Sequence, residues 1–122
     1  MFGFHPANLV VRFLLEIAAL IAAGIGVYTL GSGSISWVLG IGLPVVLAVC
    51  WGVFNVPGDR SRSGEAPVAV SGVVRLLLEL LIFAIAVVLV SLVSATAAVA
   101  LAVATGVHYL LSFDRIRWLL AN

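Results

Sequence analysis

Two near-copies of one heptapeptide carry most of the charge that this chain buries in apolar sequence. Val10-Val11-Arg12-Phe13-Leu14-Leu15-Glu16 and Val73-Val74-Arg75-Leu76-Leu77-Leu78-Glu79 differ only at Phe13 against Leu76. Each sets an arginine one helical turn before a glutamate. On an α-helix that spacing stacks the two side chains on one face. Such charges cost about 2.5–3.5 kcal/mol each at a bilayer centre, so they are expected to face protein and to have a role there. The chemistry open to them is ion pairing, binding of an anionic or zwitterionic solute, or proton relay. The order of charges is unusual, because an arginine near a helix N-terminus followed by a glutamate opposes the helix dipole. Local helix stability does not explain it. The glutamates either neutralise their own arginines at the headgroups or cross-pair, Arg12 with Glu79 and Arg75 with Glu16, if the two helices meet.

The elements that must position these residues are membrane helices. The chain has 122 residues, 64% hydrophobic and 9% charged, whereas soluble domains are about one quarter charged. Four apolar segments approach the ~20 residues that span a hydrocarbon core, roughly 9–30, 36–54, 72–93 and 97–113. No period-two alternation suggests barrel strands. The fold class expected is an all-α membrane protein, one domain over 1–122. It is a four-transmembrane-helix bundle built from two helical hairpins in the same orientation, an internal repeat. All six basic residues are arginines, and with four spans all lie on one side. The positive-inside rule then makes that side cytoplasmic, with both termini inside a bacterial cytoplasmic membrane. A signal peptide is not expected, since the first segment is too long and lacks a basic start.

Depth counting brings further polar groups to the glutamate layer. Trp51 and Asn55 fall there at the end of the second helix, His108 and Tyr109 at the end of the fourth, and Asn8 near the start of the first. Taken singly, Trp51 and Tyr109 read as interfacial aromatics, Asn8 as an N-cap and His108 as a hydrogen-bonded bundle residue. Taken together, they extend the candidate ligand-binding or proton-handling set of Arg12, Glu16, Arg75 and Glu79. The lone Cys50 reads as a small buried residue, and no metal or other cofactor is expected.

The remaining features read as structural. Ala18, Ala22 and Gly26, and likewise Ala98, Ala102 and Gly106, have the spacing of packing seams. Pro44 predicts a kink in the second helix. The stretch 55–71, with Arg60 and Arg62, reads as an exposed loop, and 114–120 as a continuation of the fourth helix anchored by Arg115, Arg117 and Trp118.

The run Asn8…Arg12-Phe13-Leu14-Leu15-Glu16, Trp51-Gly52-Val53-Phe54…Pro57, Arg75…Glu79 resembles the YrdB-like family of small bacterial four-helix membrane proteins. The resemblance covers residues 8 to about 83 and fits the fourth helix less well. Its motif residues fall on Arg12, Glu16, Trp51, Pro57, Arg75 and Glu79. It implies a fold and a bacterial membrane location, but no activity, because the family is a domain of unknown function. The small multidrug-resistance family differs, having a lone first-helix glutamate without an arginine partner.

Three function classes follow. The first is transport or ligand binding at the Arg/Glu layer, and the second an accessory or scaffold subunit of a membrane complex. The third, and least supported, is an enzyme using Glu16, Glu79 or His108 as acid or base, with no nucleophile or cofactor motif beside them. Expected partners are the lipid bilayer and either a second copy or a membrane protein. A net charge of +1 gives nucleic acid no electrostatic footprint.

Overall fold

A computed structural model describes residues 2–59 and 65–122. After a 3-10 turn at Phe2–Phe4 come α1 (Pro6–Tyr28), α2 (Ser34–Val53), α3 (Gly72–Ser91), α4 (Ala95–Leu111) and α5 (Phe113–Ala121). The strands β1 (Phe54–Asn55) and β2 (Val68–Ala69) pair in parallel between α2 and α3. The first three long helices are each long and apolar enough to cross a membrane. A fourth crossing arises if α4 and α5, bent by 70°, count as one span.

Local sequence sets the helix starts. His5 caps α1 by accepting from the Ala7 N–H, with Pro6 in the first turn, where its missing N–H costs nothing. Ser71 accepts from Val74 N at the start of α3, and Ser94 from Ala97 N at the start of α4. Gly33, at φ +56, makes the turn into α2, a conformation that a β-carbon disfavours. Asn8, expected as the cap, instead lies inside α1 and is buried, because the cap falls three residues earlier.

α1 is the central element, packed along both α2 and α3. A β-carbon at Gly26 would run into the Leu89 backbone, and one at Gly24 would lie 2.8 Å from the Gly40 carbonyl oxygen and 3.0 Å from Pro44 Cγ. α1 and α3 run side by side in one direction, touching at Arg12–Glu79 near one end and at Gly26–Leu89 near the other. The seam on α1 is Ala19, Ala22, Ala23 and Gly26, with Ala18 exposed. On α4 the inward face is Ala98, Leu101, Thr105 and His108, and the expected Ala102 and Gly106 face outward. Small residues suit both packed and lipid-facing positions, so their spacing alone misassigned that face. Pro44 lies within a continuous α2 and packs toward Gly24.

The 55–71 stretch is not simply an exposed loop. Asn55, Val56 and Asp59 are buried, and the Val70 N–H donates to the Asn55 carbonyl. Arg60 and Arg62 lie outside the described residues. Nor does the chain after 113 continue the fourth helix. The backbone turns at Ser112, and α5 folds under the end of the helices, burying Arg115 and Leu119. A β-carbon at Gly72 would collide with the Leu119 backbone, so that glycine admits α5 against the start of α3.

A candidate functional site: the charged layer

The N-terminal turns of α1 and α3 meet the C-terminal ends of α2 and α4 in a buried polar layer centred on Glu79. Both Arg75 and Glu79 are 0% exposed. Glu79 Oε2 accepts from Arg12 Nη2 at 2.6 Å, Arg75 Nε at 2.7 Å and Arg115 Nη2 at 2.9 Å. Oε1 accepts from the Tyr109 hydroxyl at 2.7 Å and Arg115 Nη1 at 3.0 Å. A carboxylate offers about four lone-pair sites, and five donors converge here, so the group is saturated.

The duplicated pairs are not used alike. Arg12 bonds its own Glu16 through Nε at 3.1 Å and crosses to Glu79 through Nη2. Arg75 also holds Glu79, but turns Nη1 to the carbonyls of Trp51 at 2.7 Å and Phe54 at 2.8 Å. These are carbonyls at the end of α2, where the helix dipole is negative and the final C=O groups lack intrahelical partners. The unfavourable arginine-first order is thereby accounted for, since each arginine serves a neighbouring helix as well as its own.

Sequence reasoning missed two members. Arg115, expected at the headgroups, is 2% exposed and bridges Glu79 to Asp59, its Nη2 lying 2.8 Å from Asp59 Oδ2. Asp59, in the connection after β1, is fully buried. A signal was available in the spacing of Arg115 and Leu119, one turn apart on a short amphipathic helix, which gives α5 an inward face. Among the described residues the ion-pair network holds Arg12, Arg75 and Arg115 against Glu16, Glu79 and Asp59, three charges of each sign.

The other candidates surround this hub. Asn8 donates to Ser112 Oγ at 2.8 Å, tying α1 to the bend before α5. Trp51, read singly as an interfacial aromatic, is 3% exposed and packs edge-on against Phe83, whose ring also meets Tyr109. His108 is buried beside Tyr109. Asn55 donates to the Gly52 carbonyl at 2.6 Å. Trp51 Nε1, Asn55 Oδ1, Arg75 Nη2 and His108 Nδ1 have no hydrogen-bond partner among the described residues. No group of three His, Cys, Asp or Glu side chains comes together for a metal ion among those residues. An apolar cleft of about 510 Å³ lies far from this layer, between the C-terminal half of α1 and the N-terminal half of α2, lined by Leu20, Gly24, Tyr28, Trp37 and Pro44.

Long apolar helices closed at one end by a paired charge layer define a helical protein of membrane type. The chain belongs to the family described as "Protein of unknown function (DUF2568)", whose model matches residues 10–106. It is similar to the uncharacterized protein YrdB of Bacillus subtilis (strain 168), 45% identical over 118 residues and covering 95% of each chain. No solved structure matches.

Proposed function

We propose that this protein is a four-span protein of the bacterial cytoplasmic membrane, serving as an accessory or scaffold subunit, with the charged layer as a lock that fixes helix packing on the cytoplasmic side. One observation carries this reading. Glu79, the acid at the centre of the layer, is fully buried and has every acceptor position taken by the chain's own donors. A solute carrier would leave part of such a site to its cargo. Buried polar networks that are fully paired specify a single packing, the property a scaffold needs.

A cysteine at Ile82, one turn from Glu79 and 2% exposed, tests the lock in a Cys50→Ser background. Water-soluble methanethiosulfonate applied from the cytoplasmic face leaves it unlabelled if the layer is closed. Rapid labelling would overturn the lock and favour the second reading, binding or transport of a small polar solute. That alternative has its own support in buried atoms that have no hydrogen-bond partner among the described residues, Arg75 Nη2, Trp51 Nε1 and His108 Nδ1.

Orientation follows from the arginines, which the first and third helix connections lack. The same background with a cysteine at Ser32 is expected to react with impermeant maleimide outside intact cells. Labelling confined to inverted vesicles would reverse the topology.

A further inference from the structure

Arg115 differs from the other two arginines of the layer in how it arrives. Arg12 and Arg75 project from helices that form the body of the fold, whereas Arg115 comes in on α5, a nine-residue helix set at 70° to α4. Its guanidinium meets Glu79 as a fork, Nη1 to Oε1 at 3.0 Å and Nη2 to Oε2 at 2.9 Å, and Nη2 also reaches Asp59 at 2.8 Å. Parallel bonds of this kind suit a planar guanidinium and are lost on an ammonium group.

The receptor half of this contact does not depend on α5. Glu79 keeps Arg12 Nη2, Arg75 Nε and the Tyr109 hydroxyl, from α1, α3 and α4, when Arg115 is taken away. The bend is pinned by the Asn8–Ser112 bond, and α5 itself is held, besides Arg115, by the Gly3 N–H donating to Asp114 Oδ1 at 2.8 Å and by Leu119 packed on Gly72, contacts that must part with the Arg115 fork if it lifts.

We propose that α5 is a releasable cap with Arg115 as its tethered ligand, and that Glu79 and Asp59 form a cradle that takes a free guanidinium-bearing cation when the cap lifts. The cap gives the closed layer a built-in competitor. A tethered group acts at an effective concentration in the millimolar range or above, so an external guanidinium must reach comparable levels to displace it. The proposal rests on the lock reading only in taking the layer as closed at rest. Labelling at Ile82 and the response to guanidinium are scored independently.

Arg115→Ala in detergent, with guanidinium chloride as the probe, tests the cradle. The variant is expected to melt below the wild type. Millimolar guanidinium should recover most of that loss, while sodium and tetramethylammonium chlorides at equal concentration recover none of it. The wild type, its cradle filled, should show no such gain. Loss without guanidinium-specific recovery overturns the proposal. Hydrogen exchange on the wild-type chain decides the matter even if the variant does not fold. Guanidinium should speed exchange of the α5 amides over the sodium control and leave those of α3 unchanged. Equal α5 exchange in the two salts overturns the cap.

Discussion

Glu79→Gln lowers the melting temperature in detergent by about 10–20 °C, taking about 3–5 kcal/mol for a broken buried pair and roughly 4 °C per kcal/mol for a domain of this size. Glutamine matches the shape of the side chain but turns an amide donor toward donors. Three guanidinium groups and the Tyr109 hydroxyl then share one neutral carbonyl oxygen, where Glu79 had offered two charged ones. Among the described residues three arginines share the Glu79 carboxylate, so removing one of them with it evens the formal charge but leaves the other two without that acceptor. Arg12→Leu with Glu79→Leu, and Arg75→Leu with Glu79→Leu, should each be milder than Glu79→Leu alone, and neither should reach the wild type. Arg75→Leu carries a further loss, since the Trp51 and Phe54 carbonyls at the end of α2 then lose their donor. Unfolding followed by tryptophan fluorescence reports all of these, with Trp51 in the core beside Phe83. A Glu79→Gln protein melting with the wild type would mean that water already reaches the layer, and the lock would have to be abandoned.

The charges of α1 and α3 were legible in the sequence because a charged residue inside an apolar run is costly anywhere but a protein interior. Counting turns from the ends of the segments was enough to place Trp51, His108 and Tyr109 at the same level, since depth along a helix is simple arithmetic. Which partner each group takes was not legible. Cross-pairing and self-pairing stood as alternatives, whereas Arg12 makes both contacts and Arg75 divides itself between Glu79 and the end of α2. Such choices depend on the rotation of each helix about its axis, and an apolar outer surface facing lipid gives that rotation little pattern. Arg115 was missed for another reason. Arginine and tryptophan after an apolar segment are the ordinary signature of a headgroup anchor. Only the turn at Ser112 and the bare backbone of Gly72 carry Arg115 inward instead.

Gly26→Val should be among the most damaging changes in the chain, although it adds only three carbon atoms far from any charge. A β-carbon there meets the carbonyl group of Leu89, and backbone cannot move aside as a side chain can. α1 and α3 must therefore separate at that level. The strain is shared along the seam of Ala19, Ala22 and Ala23, which faces the Ile82–Ala86 stretch in the core. Overpacking costs about 1–3 kcal/mol where neighbours can adjust, and a helix–helix contact through backbone belongs at or beyond the upper end. Gly106 supplies the control. It too lies in an apolar helix, but nothing is within 4 Å of a β-carbon built there. Gly106→Ala should then raise stability by up to about 1 kcal/mol, the gain in helix propensity over glycine. Thermal unfolding of the two variants side by side separates close packing from a general intolerance of glycine replacement. Should Gly26→Val unfold at the wild-type temperature, α1 and α3 do not touch at that depth. The Arg12–Glu79 bond, which needs the same two helices side by side, would lose its geometric basis with them.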